Sequence, residues 1–196
     1  TGQACTFFML NKNCSVTLFE GTIDGTREST SNKVGGAAFY VGDSITGTKL
    51  SQFGGTIKSG NVTGGRSGFM MGAGVYNLYD GQVIGGNGIN GGALYLGTNG
   101  TLNMYGGSIT GGTATGNGGS VYSNGTVHIY GGSISGGSTT AQGDVVAVAK
   151  GSFTITGGTI AKGESDGLYL PGNNPATVTI GGNAQIEDLR VNGNST

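Results

Sequence analysis

The chain has 196 residues, of which 45 are glycine and two are proline; charged residues make up 10% and the formal net charge is −1. Collagen is excluded because it needs a strict glycine triplet and much proline, and apolar residues at fixed spacing argue against a disordered glycine-rich linker. No basic stripe exists, so we expect no nucleic-acid partner. No apolar run approaches the ~20 residues that cross a bilayer, so we expect no membrane span.

Residues 1–13 do not fit the repeat that follows and predict an N-terminal cap. They hold the apolar run TFFML and the turn-like NKN. A solenoid needs such a cap because its terminal coil otherwise exposes core residues and an unpaired strand edge. The only two cysteines, Cys5 and Cys14, predict one disulfide that pins the cap in an oxidising compartment. A pair of buried free thiols is the alternative.

A repeat of about 26 residues runs along most of the chain. Its clearest copies lie between Gly91 and Gly137, where an NGT turn, an alternating strand, GG, Ser-Ile and GG recur in the same order. The aliphatic residue after each Gly pair forms one column, with steps of 34, 26, 26, 25, 26 and 26 residues, and a polar insertion at 25–35 lengthens the first step. Another strand gives a second column with nearly the same period. The columns are Ile23, Ile57, Val83, Ile109, Ile134, Ile160 and Ile186, and Phe39, Phe69, Leu94, Val121, Val146 and Leu168.

Each repeat offers three short strands and no helical pattern, which is typical of a solenoid whose coils stack on each other. Strand alternation points Leu94 and Leu96 inward and Tyr95 outward. Glycines mark the corners, where the chain needs positive φ and stacked coils leave little room. We predict an all-β fold: a right-handed parallel β-helix of six to seven coils of ~25 residues over 14–186, with 187–196 as a tail or partial cap.

The phrasing GGALYL followed by NGTLNMYGGSITGG resembles the right-handed parallel β-helix of the pectin-lyase-like superfamily. More narrowly, it resembles the Gly-rich repeats of secreted and surface-exposed bacterial proteins that are called adhesin-like. The resemblance covers about residues 14–186 and implies surface display with little agreed chemistry. Enzymes of the superfamily carry paired Asp, His or Arg motifs on one strand face. None of those motifs is found here, so the resemblance implies no catalytic residue and no cofactor, and the cysteine pair departs from it.

Two aromatic columns are predicted to face outward. Exposed aromatic residues in a row can stack on sugar rings or contact a protein. Alternatively, neighbouring rings stack on each other and stabilise the sheet. The columns are Phe19, Phe53, Tyr79, Tyr105 and Tyr130, and Tyr40, Met70, Tyr95, Tyr122, Ala147 and Tyr169.

An acidic cluster is the nearest approach to a catalytic or metal site. The repeat places Asp144 and Asp166 in one column, one coil apart, with Glu164 nearby. Carboxylates ~5 Å apart occur in retaining glycosidases, and oxygen clusters can hold Ca²⁺. A solvated corner that tolerates like charge is the simpler interpretation, because no aligned His, Arg or further acid completes a site. We therefore predict no enzymatic activity and keep these three residues only as a weak calcium candidate.

His128, the only histidine, is predicted to face outward in a polar column with Asn77, Asn103 and Thr154. Two early cysteines and one distant histidine cannot form a metal site, and no Ser-His-Asp arrangement can be built around His128. A third outward column could bind ice as a flat threonine ladder, but Asp24, Lys58 and Gln82 interrupt it. Its members are Thr22, Thr56, Gln82, Ser108, Ser133 and Thr159.

Five sequons are candidate N-glycosylation sites. At Asn99 and Asn124 the Asn-Gly pair is also what a tight turn with positive φ would use. The five acceptors are Asn13, Asn61, Asn99, Asn124 and Asn194.

Taken together, these features predict a non-enzymatic structural or adhesive protein, secreted or displayed on a cell surface. An uncovered end coil predicts assembly into a fibre or a longer rod, with a second copy as partner through the solenoid ends. The TFFML segment could complete another subunit's sheet by strand addition. The alternatives are a glycan-binding or polysaccharide-active module, with carbohydrate as the partner, and, less expected, an ice-binding protein.

Overall fold

The chain folds as a parallel β-solenoid. The computed structural model describes residues 11–26, 37–62, 64–171 and 177–192. Within these residues there is no helix; seven parallel strands stack in each of three long sheets, and three more form a short sheet. The all-β solenoid fold with three strands per coil is therefore confirmed.

The three long sheets follow each other in the same order in every coil. Sheet 1 contains Ser15–Leu18, Lys49–Gln52, Val75–Leu78, Thr101–Met104, Thr126–Ile129, Ser152–Ile155 and Thr177–Ile180. Sheet 2 contains Thr22–Asp24, Thr56–Lys58, Gln82–Ile84, Ser108–Thr110, Ser133–Ser135, Thr159–Ile160 and Gln185–Ile186. Sheet 3 contains Phe39–Val41, Phe69–Met71, Leu94–Leu96, Val121–Ser123, Val146–Val148, Leu168–Pro171 and Leu189–Asn192. The short sheet, at the corner between sheets 2 and 3, contains Asn87–Gly88, Thr113–Ala114 and Ser138–Thr139.

The strand register confirms both predicted columns. In sheet 2, Ile109 pairs with Val83 on one side and with Ile134 on the other, and the column continues to Ile23 and Ile186. In sheet 3 the column from Phe39 runs through Leu168 in the same way. Equivalent residues of successive repeats therefore stack directly on each other, at the ~4.8 Å spacing of paired strands.

Side-chain alternation places the core as expected. Leu94, Leu96, Leu102, Met104 and Ile109 are all fully buried in one continuous apolar cluster. The neighbours in between point away from this core because successive residues of a strand face opposite sides. The core is thus a stack of similar layers, each contributed by one coil.

The Gly pairs that follow sheet 1 behave as predicted corners. Gly107 and Gly132 have φ of 69° and 83°. A Cβ on Gly132 would lie 2.6 Å from the carbonyl oxygen of Gly107, the equivalent corner one coil earlier. Glycine is needed here both for its conformation and for the close approach of stacked backbones.

A turn with positive φ was the alternative interpretation of the Asn-Gly pairs at Asn99 and Asn124, but neither asparagine has positive φ. Among the described residues the only non-glycine at positive φ is Asn13, at 58°. The glycine of the turn is selected by packing instead. A Cβ on Gly100 would lie 2.2 Å from the Met71 carbonyl oxygen, and one on Gly125 would lie 2.2 Å from that of Gly100.

The boundaries of the solenoid differ from the predicted ones at the C-terminal end. Leu189–Asn192 pairs in parallel with Leu168–Pro171 and is the seventh strand of sheet 3. The repeat therefore does not end at 186, and residues 187–192 continue the coil. The predicted cap lies mostly outside the described residues, as do Cys5 and most of the insertion at 25–35. Of the cap, the carbonyl of Asn11 accepts a hydrogen bond of 2.6 Å from the Thr48 hydroxyl.

A hydrogen-bonded pair of large polar side chains is buried in the core. The Tyr76 hydroxyl donates a hydrogen bond of 2.6 Å to Oε1 of Gln52, and both side chains are fully buried. The Gln52 amide nitrogen in turn donates to the carbonyl oxygen of Gly55 at 3.1 Å. Because a buried polar group without a partner is costly, the two residues depend on each other. Burial raises the pKa of Tyr76 well above its ordinary value of 10.

We expect Tyr76→Phe to change the response of stability to alkaline pH. In the unfolded chain Tyr76 ionises near pH 10, whereas the folded chain holds it neutral. The contribution of Tyr76 to the free energy of unfolding is therefore complete below about pH 10, and it declines by up to about 1.4 kcal/mol per pH unit above that pH. The variant should lose about 1–3 kcal/mol at pH 7, because Gln52 is left without its donor, and should respond less steeply to alkali. Urea unfolding of both proteins between pH 7 and 11 measures the difference; equal slopes above pH 10 would contradict the assignment.

Candidate functional site

The acidic corner, formed by Asp144 and Asp166, links neighbouring coils by hydrogen bonds. Asp144 and Asp166 are 3% and 2% exposed, so the expectation of a solvated corner is wrong. Asp144 accepts hydrogen bonds from the backbone N–H groups of Ser165, Asp166 at 3.4 Å and Thr139 at 3.3 Å. Asp166 accepts from the Gly143 N–H at 3.4 Å and from Nη1 of Arg190 at 3.3 Å. Each carboxylate therefore holds the corner of a neighbouring coil in place.

These hydrogen bonds occupy the carboxylate oxygens of Asp144 and Asp166, so few acceptor positions remain for a ligand. Glu164, the third acid of the predicted cluster, is exposed at the surface. The part of the chain that the structure describes contains no group of three or more His, Cys, Asp or Glu residues that could hold a metal ion. The buried carboxylates are paired by backbone amides and one guanidinium, as buried charges generally are. We therefore interpret Asp144 and Asp166 as structural residues.

The aromatic column at the end of sheet 1 forms an exposed stack. Its five rings are 37% to 67% exposed. Successive rings stack nearly parallel, with interplanar angles of 7° to 16° and centroids 4.5 to 5.3 Å apart. The stack is Phe19, Phe53, Tyr79, Tyr105 and Tyr130.

Such a stack presents ring edges to solvent, because each inner ring has both faces covered by its neighbours. A sugar stacks on an aromatic face, so the inner rings Phe53, Tyr79 and Tyr105 offer no face to one. Each stacked pair stabilises the sheet by about 0.5–1.5 kcal/mol beyond its buried area. Of the two interpretations of this column, the geometry favours mutual stacking.

The second aromatic column, on the outer face of sheet 3, is not the exposed row that was expected. Its register is confirmed, but Met70, Tyr95, Ala147 and Tyr169 are buried. The corner segments that carry the short sheet pack against this face: a Cβ on Gly143 would meet the Cβ atoms of Ala147 and Tyr169 at about 3 Å. The column therefore lies in a partly covered depression on this face, which is called the groove below.

The groove contains polar and cationic partners that the sequence did not reveal. The Arg66 guanidinium lies 5.0 Å from the Tyr95 ring centroid and donates to Asp43 at 2.7 Å. The Asn124 amide donates to the Tyr95 hydroxyl at 3.1 Å. Two cavities open along the groove, one of about 280 Å³ beside Arg66 and one of about 250 Å³ beside Ala147. The sequence signal for the second was the alanine that interrupts the aromatic column.

The remaining outward columns are mixed and polar. His128 pairs in register with Asn103 and Thr154, as predicted, and the Asn103 amide donates to Asn77 at 2.8 Å. On sheet 2 the Thr column also has the predicted register, but Lys58 and Asp24 form an ion pair of 2.9 Å beside it. The pKa of Asp24 falls to about 2, chiefly because of the Thr26 hydroxyl and then because of Lys58. This irregular surface does not favour ice binding.

The cysteine and sequon predictions stay predictions. The Cys14 thiol is free in the structure, with its sulfur 3.7 Å from the carbonyl oxygen of Lys12. Its predicted partner Cys5 lies outside the described residues, as does Asn194. Asn99 is exposed on its turn, Asn13 and Asn61 lie near the surface, and Asn124 is engaged with Tyr95. No helix in the described ranges is long and apolar enough to cross a bilayer.

The fold and its columns define the class of this protein as a parallel β-solenoid repeat protein. A scan against protein-family models finds no match, and no curated protein and no solved structure matches the chain in the comparisons made. The likeness to pectin-lyase-like and adhesin-like repeats is therefore shown only for the solenoid architecture.

Proposed function

We propose that this chain is a non-enzymatic structural or adhesive rod of an extracellular or cell-surface protein, extended by stacking at its solenoid ends. The observation that carries the proposal is the last described coil. Its inward-facing residues Ile180, Leu189 and Val191 are 49%, 43% and 61% exposed. Their equivalents one coil earlier, such as Ile155 and Leu168, are fully buried.

An end of this kind is a surface for another coil of the same shape. The exposed layer combines apolar side chains with the edge strand Leu189–Asn192, which among the described residues pairs only with Leu168–Pro171, and such an edge can take a further strand. Because the columns repeat the same residue types at the same pitch, a layer of this repeat matches it better than an unrelated surface does. The first described coil offers Val16, Leu18 and Ile23, which are half-buried and pack against the same core. We therefore take a second copy of the chain as the partner, in a head-to-tail contact that continues into a rod.

The absence of catalysis is supported by how the acids are used. Asp144 and Asp166 each accept several hydrogen bonds and are shielded from solvent. A general acid or base must reach a substrate atom directly or through one water molecule, and carboxylates committed to backbone amides in a buried corner are poorly placed for this. Their role in the proposal is to lock successive coils.

Composition, rather than a site, supports both the assembly and the surface display. Low charge favours assembly because it reduces the repulsion between stacked copies. A disulfide between Cys5 and Cys14 and glycans at exposed sequons such as Asn99 would both fit an extracellular location. The likeness of the repeat to adhesin-like bacterial surface proteins points in the same direction and is part of this proposal.

We expect Val191→Lys to abolish end-to-end association of the full chain, because it places a charge in the layer that must be buried. Thr179→Lys is the matched control: it adds the same charge to the same coil on a side chain that points to solvent. Light scattering after size-exclusion chromatography measures the mass over a range of concentrations, and electron microscopy shows rods or monomers. Circular dichroism checks that both variants are folded, and Leu189→Glu is a second variant for the same layer. A wild-type chain that stays monomeric at high concentration would overturn the assembly.

A further inference from the structure

The cavity of about 280 Å³ beside Arg66 can be reached from solvent. The side chains of Arg66 and Asp43, which line it, are 48% and 50% exposed. Ile89, which also lines it, is 40% exposed, whereas Val62 and Met70 are buried and form an apolar base. A small molecule therefore has access to two charged groups and to an apolar side chain.

The ion pair in this cavity keeps most of its hydrogen-bonding capacity. Nη1 of Arg66 donates to Oδ2 of Asp43 at 2.7 Å, and within the described residues neither side chain makes another hydrogen bond. A guanidinium has five N–H donors and a carboxylate has about four acceptor positions, so most of both remain for a ligand. The guanidinium lies 5.0 Å from the centroid of the Tyr95 ring. This contact and the ion pair hold the donors in place before a ligand arrives, which lowers the entropic cost of binding.

A second cavity adjoins the first at Ile89. It measures about 210 Å³, and Val62, Gly64 and Ile89 line both cavities. Thr113 and Thr115 line only the second cavity, and both are exposed at the surface. Sites for drug-sized ligands begin at about 300 Å³, so each cavity suits one small ring and the two together suit a pair of linked rings.

We propose that the two cavities bind two consecutive residues of a neutral glycan. The hydroxyl groups of one sugar accept hydrogen bonds from Arg66 and donate to Asp43, and such bonds to ionised groups are roughly twice as strong as neutral ones. The C–H groups of the sugar pack on Ile89, and the threonines of the second cavity meet hydroxyl groups of the next sugar. The charges of Arg66 and Asp43 offset each other, and among the described residues no other charged side chain lines either cavity. A neutral sugar therefore fits better than a uronate.

An extended peptide fits this surface less well than a glycan does. A peptide that binds by strand addition needs a sheet edge with unpaired backbone groups. The strands beside the cavities offer no such edge: Phe69–Met71 lies inside sheet 3 and Thr113–Ala114 lies inside the short sheet, each between two parallel neighbours. The groups that remain for a ligand are side chains, which suit the hydroxyl groups of a sugar.

This inference gives the adhesive role in the proposed function a ligand class, but it does not depend on assembly. The cavities lie on the side of the solenoid, by the outer face of sheet 3 and the corner that precedes it, whereas Leu189 and Val191 belong to the exposed end layer. One copy of the chain carries the whole site. A chain that binds a glycan but stays monomeric would overturn the assembly alone, and a chain that assembles without binding would overturn this inference alone.

Arg66→Met tests the ion pair, because it removes the guanidinium and keeps a long apolar side chain. We expect it to weaken binding at least about tenfold, and it should fold because an exposed ion pair contributes little to stability. Thr113→Trp fills the second cavity and should weaken disaccharide binding at least about fivefold. Lys58→Met is the matched control: it removes the cation of the ion pair with Asp24, which lines neither cavity, and should bind as the wild type does. Circular dichroism checks the fold of each variant.

The probes are the methyl glycosides of glucose, galactose and mannose and the disaccharides cellobiose, maltose and lactose, with methyl glucuronide and a blocked alanine tripeptide for comparison. Proton–nitrogen correlation NMR titrations give the affinities, and shifts of the Gly64, Gly65 and Ile89 amide signals place the ligand. At least one neutral disaccharide should bind more tightly than the monosaccharides and should lose affinity in Arg66→Met. The proposal is overturned if no neutral sugar binds, if the disaccharides bind no more tightly than the monosaccharides, if Arg66→Met binds equally well, or if the glucuronide or the tripeptide binds more tightly than the neutral sugars.

Discussion

Replacement of Phe153 by alanine is expected to lower the free energy of unfolding by about 3–5 kcal/mol. Phe153 is fully buried, and it stacks in the core column of sheet 1 between Val127 and Val178. Truncation removes most of its apolar contacts and leaves a cavity. Because the flanking coils are held by parallel pairing at a fixed pitch, they cannot collapse into that cavity, which places the cost toward the upper end of the range.

Phe19→Ala is the matched control for this prediction. Phe19 is 67% exposed and stacks on one ring, Phe53, at 5.3 Å. Its loss should cost about 0.5–1.5 kcal/mol. Urea unfolding followed by circular dichroism measures both variants. Equal losses would mean that the core column contributes no more than the surface stack, contrary to the burial described above.

Gly107→Ala is expected to destabilise the protein by more than about 3 kcal/mol, which is more than its conformation alone accounts for. Gly107 has φ of 69°, and a Cβ there would lie 2.5 Å from the carbonyl oxygen of Gly81 in the preceding coil. Two coils must separate locally to admit one methyl group. The lost strand pairing adds to the ~1–2 kcal/mol that an alanine pays in the left-handed region.

Gly111→Ala separates the two effects. Gly111 has φ of 73°, but a Cβ there would have no atom within 4 Å. The Gly111→Ala substitution should therefore lower the free energy of unfolding only by the ~1–2 kcal/mol that the left-handed conformation costs an alanine. Thermal and urea unfolding of the pair give the difference directly. A difference near zero would show that coil spacing adapts easily at the corner, and that the Gly pairs are selected for φ rather than for close stacking.

The sequence by itself determined the architecture. Two columns of apolar residues at the same period, such as those through Ile109 and Leu94, require equivalent positions to coincide once per coil. Only stacked parallel strands satisfy that requirement at this length without helices. Strand alternation then assigned Leu102 and Met104 to the core, because side-chain direction in a strand depends on neighbouring residues alone. The registers of the aromatic and polar columns followed from the same counting.

Only the tertiary structure decided which outward residues are exposed and which polar groups have partners. Tyr95 and Tyr169 point away from the core as predicted, yet corner segments from neighbouring coils bury them in a groove. Asp144 accepts hydrogen bonds from two amides more than 20 residues away in the chain, and Oε1 of Gln142 has no donor. Periodicity fixes the direction of a side chain relative to its own strand. Burial and hydrogen bonding depend on where corners of other coils come to lie, and that is set by packing in three dimensions.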